Sequence, residues 1–500
     1  MKSFVGMDLK TYVRRVGIMR AVRAGFYPAR SKREGIKPSP TMAPSSRAWM
    51  GIDLKVVAIV AVAMSTMFVR SWEGDLYRDE ALYAELAKGI LARNEWLTLS
   101  LGEDVYLRKP PLMFWLVALS FTLFGVSIFS AKLVSILFGI GSCIILYHLA
   151  RSLYGSAIGF LSAIVLTTTP HYIKNAQTLR LDSGLLFFLL LGLYFYHLGF
   201  QKDRRLLFVA GGASIGMAFL VKGFFGLAYL PIIVAVMLLS GKSSTLRSPY
   251  FVGSLLVAAL LILPWPLYQY ALRGQEFLQV FLFQEGVSRL KGELRWGKEW
   301  WIYFATIGRY YWPWLPFLLG GFYLVGKELW QGGRKHLFVA VWVVFYFAEI
   351  MLIGNKMDRY LIPLYPAFAI ASAFAIDHFL AVQVKERLPS FTLALSALAS
   401  ILLLLLPIPL HSQKVEKLKA LKPFVEAAPE PLLAYRIPSW SDRGQVRFYL
   451  GRDLKNIEDA GRLQEKRPDQ LILTTSDKRG ELEKLYLVVM FDNGKYALLK

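Results

Sequence analysis

The sequence predicts a polytopic α-helical membrane protein, with about 11–13 transmembrane helices, followed by a small α/β domain. Three observations predict it. Apolar runs of roughly 17 residues or more recur between about residues 54 and 410, the length at which a helix crosses a bilayer. Lysine and arginine cluster in the short segments between them, as in loops held on the cytoplasmic side. Beyond about residue 412 the composition turns charged and mixed, with short β-type runs.

Composition narrows the class further. Hydrophobic residues make up 55% of the 500, more than the ~45–50% of soluble domains. The net charge of +23 does not point to nucleic acid, because its basic residues sit where topology needs them. They cluster at Gln201–Arg205, Gly241–Arg247, Lys327–His336 and Val384–Arg387, positions that also suit anionic lipids. Residues 1–50 hold eleven Lys/Arg against Asp8 and Glu34 and are expected to form a disordered basic tail on the cytoplasmic side. No small-residue cleavage site follows the run at 54–69, so that run reads as an uncleaved first helix. Cys143, the single cysteine, lies inside an apolar run and excludes an internal disulfide.

After helix 54–69 comes an outer loop, 70–110. Within it, 79–92 reads as an amphipathic surface helix with Leu82, Leu86 and Ile90 on one side. Pro110-Pro111 opens a short apolar segment to Phe124, expected to be re-entrant or interfacial. Further spans are expected near 130–150, 157–170, 184–200, 206–221, 224–240, 250–271, 308–326, 337–353, 359–381 and 391–410. With 111–124 not crossing, eleven spans place every basic loop on one side and the acidic loop on the other. The membrane part is thus 51–411 and the outer domain 412–500. In loop 272–307, Trp296, Trp300 and Trp301 suit the lipid interface. In the last domain, Leu471–Thr475 and Tyr486–Met490 read as strands, and Asp492-Asn493-Gly494 as a hairpin turn between Phe491 and Tyr496.

The stretch Tyr77–Glu85 carries the chemistry. Asp79 and Glu80 are adjacent carboxylates just past a membrane helix, costly to place unless they face water and act on a polar group. The same outer face gathers Asp182 and the cations Lys109, Arg180, Lys222, Arg289, Lys356 and Arg359. Cations neutralise a phosphate leaving group, and a carboxylate accepts a proton from an attacking hydroxyl or steadies a sugar-like cation. Plainer roles fit too. Asp79 suits a helix cap, Lys109 a snorkelling side chain, Arg180 and Asp182 a mutual pair, Lys222 a helix end. His148, His171, His197 and His411 stand singly, without metal or triad spacing, and no nucleotide-binding glycine motif is present.

These motifs resemble a known group. Arg78-Asp79-Glu80-Ala-Leu-Tyr83-Ala-Glu85, then Tyr106-Leu-Arg-Lys109-Pro110-Pro111-Leu-Met-Phe-Trp115, is similar to the first outer loop of the aminoarabinose transferases and protein O-mannosyltransferases, membrane glycosyltransferases of the GT-C fold. Thr178-Leu-Arg180-Leu-Asp182, Leu220-Val-Lys222-Gly223, Leu263-Pro264-Trp265, Phe283-Gln-Glu285-Gly286-Val-Ser-Arg289 and Arg359-Tyr360-Leu-Ile-Pro363-Leu-Tyr-Pro366 follow in order. The likeness covers about 54–410. It implies a polyprenyl-phosphate sugar donor, an envelope glycolipid of the lipid A type or a protein as acceptor, transfer with inversion on the outer side of the cytoplasmic membrane, and no nucleic-acid partner. It places Asp79, Glu80 and Asp182 at the reaction centre. Lys109, Arg180, Arg289, Lys356 and Arg359 would face the donor phosphate, and Tyr83, Lys222, Glu285 and Tyr360 the substrates. Gly286 departs from the asparagine common there in aminoarabinose transferases, which leaves the acceptor open. The residues fix no cofactor; they leave room for a divalent Mg²⁺ or Mn²⁺, which would sit on Asp79 and Asp182. The rival expectation is a transporter or flippase of lipid-linked sugar. It would need paired broken helices and mid-membrane charges, and neither is evident.

Overall fold

The computed structural model describes residues 53–500 except 202, 203, 205, 294–298, 381, 406–412, 427, 429–431, 438, 453, 460, 462, 464–469 and 486. The expected basic tail, much of the 201–205 cluster, Trp296, His411 and the end of the last expected span lie outside the described residues.

Helices occur where the apolar runs predict them. Five are long and apolar enough to cross a membrane: Ile128–Tyr154, Leu181–Phe200, Leu206–Leu227, Pro249–Arg273 and Asp358–Phe379. Five more apolar helices of 10–17 residues are Leu54–Phe68, Leu112–Phe124, Ser156–Thr167, Leu230–Leu239 and Leu337–Leu352. The protein is thus a polytopic helical membrane protein. Asp358–Phe379 forms the centre of the bundle, 89% buried, whereas Pro249–Arg273, 22% buried, forms its rim. Ser127 and Ser130 make a reciprocal capping box at the start of Ile128–Tyr154. Proline sets the other breaks. The expected span 308–326 begins only at Leu315, because Pro313 ends the preceding helix, Ile302–Tyr310. The expected span 391–410 starts earlier, within one helix from Val382 to Leu405 that carries Pro389 inside it. The short helix Leu112–Phe124 has 13 residues, about 20 Å, against a hydrocarbon core of ~30 Å. Small residues bring helices together: a Cβ on Gly212 would stand 2.0 Å from the Ser254 carbonyl oxygen.

The outer loop carries a two-stranded hairpin, β1 (Ser100–Leu101) with β2 (Asp104–Val105), not expected from sequence. The C-terminal domain is α/β, as expected. Its sheet has five strands, β3 (Leu432–Tyr435), β4 (Leu454–Ile457), β5 (Ile472–Thr475), β6 (Val489–Asp492) and β7 (Tyr496–Leu499), in the order β4-β3-β5-β7-β6. The expected hairpin is there as β6–β7, with Gly494 at φ +77° in its turn. β3 runs parallel to both neighbours, and all four of its residues are buried, since both faces of the sheet are covered. Leu432 and Ala434 pack with Leu418 and Val446 on one face; Leu433 and Tyr435 pack with Leu482 and Leu499 on the other.

One part of an expectation is corrected. Helix Asp79–Arg93 does not turn a polar face outward to water over its first half. Glu80 to Ala87 are all buried, on both sides, because the helix Trp440–Leu450 of the C-terminal domain covers the face that would have been wet. The approach is close: a Cβ on Gly444 would stand 2.5 Å from Leu82 Cα. Ion pairs tie the C-terminal domain to this helix and its loop. Arg447 Nε is 3.7 Å from Glu85, Arg443 bonds Asp104, and Lys419 Nζ is 2.8 Å from Asp75.

Candidate functional site

The chain turns sharply into the first-loop helix. Arg78 takes φ +53°, a backbone state that costs about 1–3 kcal/mol for a residue with a side chain. Asp79 is the first helical residue and not the cap. The terminal backbone is held instead by Glu80, whose Oε2 accepts from Tyr77 N at 3.1 Å. That leaves the Asp79 carboxylate free to point away from its own helix. Its Oδ1 accepts from the Ser441 hydroxyl of the C-terminal domain. Its Oδ2 faces Arg180 Nη1 at 3.5 Å and Arg359 Nη1 at 3.7 Å.

Two further carboxylates complete the cluster. Asp182, in the first turn of Leu181–Gln201, accepts from Lys222 Nζ, at the end of Leu206–Lys222. The Lys222 ammonium also stands 4.9 Å from the Phe225 ring centre and 5.4 Å from that of Tyr360. Arg180 and Asp182 therefore do not pair with each other. Glu285 accepts from Lys109 and from Arg289 Nη2 at 2.7 Å, and Arg108 Nη1 lies 3.8 Å away. Arg289 Nη1 donates to the Tyr360 hydroxyl at 2.8 Å, which joins this group to the Lys222 group. Tyr83 lies within electrostatic reach of Asp79, Asp182, Arg180 and Arg359.

Burial divides the cluster. Asp182, Lys222, Glu285 and Arg289 are buried, and Lys109 is nearly so. Asp79, Arg180 and Arg359 keep 28%, 29% and 26% of their side-chain surface exposed and Arg108 keeps 37%, so these four form the open part of the cluster. Burial resists the charge on Asp79, but Arg359, Arg180 and the Ser441 hydroxyl outweigh it and hold its carboxyl below the usual range. Burial likewise opposes Glu285, yet Lys109 and Arg289 bring it down to about 2. Burial pushes Glu80 up despite Lys132 and Arg180 nearby, and pushes the Tyr83 phenol up as well. Burial also lowers Lys109 in spite of Glu285.

Of the residues expected at the site, the structure brings together Asp79, Tyr83, Lys109, Arg180, Asp182, Lys222, Glu285, Arg289, Arg359 and Tyr360. Glu80 is buried beside them and serves the helix start. Lys356 is not joined to them: its ammonium donates to the Ile353 carbonyl at 2.8 Å, within its own loop. Arg108 and Ser441 belong to the cluster and were not expected. Arg108 stands beside Lys109, a usable signal; nothing in the sequence marks Ser441. Metal chemistry does not fit these residues. Both aspartates are taken by cations, and among the described residues no three His, Cys, Asp or Glu side chains converge. His171 is a buried partner of the Tyr365 hydroxyl at 2.7 Å, and Cys143 is buried beside Tyr172.

Comparison with known proteins agrees with this architecture. Residues 108–268 match the family model for dolichyl-phosphate-mannose-protein mannosyltransferases. A protein of Aquifex aeolicus is 31% identical over 298 residues, 59% of this chain and 58% of that one. The undecaprenyl phosphate-alpha-4-amino-4-deoxy-L-arabinose arabinosyl transferase 1 of Pseudomonas fluorescens is 29% identical over 341 residues, 65% of this chain and 60% of the relative. The matches thus span about three-fifths of these relatives. The crystal structure of ArnT from Cupriavidus metallidurans bound to undecaprenyl phosphate superposes with a TM-score of 0.74 at 18% identity, over 89% of this chain and 97% of that one. An oligosaccharyltransferase from Archaeoglobus fulgidus gives 0.54 at 12% identity, over 86% of this chain and 70% of that one. The fold is that of the GT-C membrane glycosyltransferases. Within that class, the likeness is to the aminoarabinose transferase group.

Proposed function

We propose that this protein moves a sugar from a polyprenyl-phosphate donor to an envelope acceptor at the outer side of the cytoplasmic membrane. The N-terminus would lie in the cytoplasm and the C-terminal domain outside. One observation carries the reading. Six cations, Arg108, Lys109, Arg180, Lys222, Arg289 and Arg359, face three carboxylates, Asp79, Asp182 and Glu285. Surplus positive charge gathered this closely, half of it buried, is costly unless an anion joins it, and a lipid phosphate supplies that anion. The arabinosyl transferase of Pseudomonas fluorescens and the ArnT structure, both described with undecaprenyl phosphate, support the same donor class.

The geometry supports the following roles. Arg180 and Arg359, half-exposed beside Asp79, meet the donor phosphate, with Lys109 and Arg289 behind them. The anomeric carbon–oxygen bond breaks, and its electron pair leaves with the prenyl phosphate, whose growing charge these cations offset. The acceptor oxygen attacks from the opposite face, which inverts the centre. Asp79 steadies the positive charge developing on the sugar. Its lowered carboxyl makes it a weak proton acceptor, so the site suits a nucleophile that is already anionic, such as a glycolipid phosphate, better than a neutral hydroxyl. Lys222 and Asp182, locked together, hold the floor beneath them.

The test is incubation of purified, reconstituted protein with a polyprenyl-phosphate sugar and phosphorylated glycolipid or protein acceptors, followed by mass spectrometry of both products. Glycosylated acceptor together with free prenyl phosphate is expected. Donor that crosses the membrane with its sugar still attached would indicate a flippase and overturn the reading.

A further inference from the structure

At the other end of the bundle the helices leave a cavity of about 320 Å³, bordered by Leu181–Gln201, Leu230–Leu239 and Leu337–Leu352. Asp182 opens the first of these helices, and His197 stands about four turns, or about 22 Å, further along it. The cavity and the carboxylate–cation cluster are therefore separate sites at opposite ends.

Its two halves differ in chemistry. Leu193, Ile233, Val236 and Phe338 make an apolar wall. Ser152, His197, Lys242 and Lys335 make a polar rim. His197, 8% exposed, has its Nε2 3.1 Å from Ser152 Oγ, which fixes the ring at the cavity edge. The Lys242 ammonium lies 5.7 Å from the Phe200 ring centre, so it is held over the cleft's aromatic lip. Lys335 enters from the loop before Leu337–Leu352. Glu328 accepts from the backbone N–H groups of Lys335 and His336, at 2.9 and 3.4 Å, and does not line the cavity. Among the described residues no aspartate or glutamate lines it.

We propose that this cavity binds an anionic lipid, its phosphate headgroup at Lys242, Lys335 and the His197–Ser152 pair and its acyl chain along Leu193, Ile233, Val236 and Phe338. The lysines alone would accept a free phosphate. A free phosphate would leave the apolar wall wet, whereas a lipid covers both halves at once.

The full-length protein, assembled in nanodiscs of phosphatidylcholine with and without phosphatidylglycerol, tests this by native mass spectrometry of retained lipid. Phosphatidylglycerol is expected to be retained in preference to phosphatidylcholine. Retention should fall about tenfold or more in K242Q/K335Q, persist in K242R/K335R, and stay unchanged in K455Q on the C-terminal domain. V236W, which fills the cavity and leaves its charges alone, should lower retention as well; if it fails to fold, the glutamine and arginine pairs decide. Wild-type retention in K242Q/K335Q would overturn the proposal. So would displacement of phosphatidylglycerol by inorganic phosphate at matching concentration, which would assign the rim to a soluble anion.

Discussion

Ser441 donates its hydroxyl hydrogen to the carboxylate of Asp79, from a residue 362 positions away in the chain. The bond crosses from the C-terminal domain to the first-loop helix, so docking of that domain sets how the site's exposed carboxylate points. Ser441 is thus a positioning residue. A hydrogen bond to an ionised group contributes about 1.5–3 kcal/mol. S441A should lower transfer about tenfold or more and cost no more stability than that one bond, and S441T should restore both.

The same bond makes a pH prediction. Asp79 is held below its ordinary carboxyl range, so its charged form is present above that range and is lost as pH falls through the lowered value. Removing the Ser441 hydroxyl raises the Asp79 carboxyl. The acid limb of the rate profile in S441A should therefore move to higher pH, whereas a merely structural defect would scale the profile without shifting it.

Lys222 and Asp182 form a buried pair. K222M leaves the buried Asp182 without its bonded partner, with only Arg359 and Arg180 at longer range, and should destabilise the protein by up to about 3 kcal/mol, read as a lowered unfolding midpoint. D182N/K222M removes both charges and should recover most of that stability without recovering transfer. A loss of stability in the double variant equal to the sum of the losses in D182N and K222M would show that the pair is not coupled.

Glu285 is held at about 2 by Lys109 and Arg289. A lowered carboxyl stabilises the fold above its unfolded value, near 4.3, and the contribution disappears as pH falls from there toward 2. Wild-type stability should decline over that window in acid titration followed by intrinsic fluorescence. E285Q should be less stable at neutral pH and should lack this component of the decline.

Gly444 admits the first-loop helix against the C-terminal domain. G444V should push the two apart and expose the helix Trp440–Leu450. Limited proteolysis should cut within that helix faster than in wild type, and transfer should fall with it.

The bundle was legible in the sequence because a bilayer imposes one length and one composition on each helix, and because Pro110-Pro111 marks a break; the break at Pro313 fell unread inside the expected span 308–326. The chemistry was legible where it is local: Asp79 and Glu80 on one turn, Lys109 before two prolines, Glu285 and Arg289 one helical turn apart. What could not be read is what the far chain does. Ser441 carries no local signature, and the burial of Asp79–Arg93 follows from a domain that begins more than three hundred residues later. Nor does the sequence show that Arg78 turns the chain through a positive φ, which frees Asp79 from capping its own helix.

Binding of undecaprenyl phosphate to the purified protein tests the central claim most directly. The account predicts that wild type binds it and that R180Q/R359Q, which removes the two exposed cations beside Asp79, weakens binding about tenfold or more while the protein stays folded. Equal affinity in wild type and the double variant would contradict it.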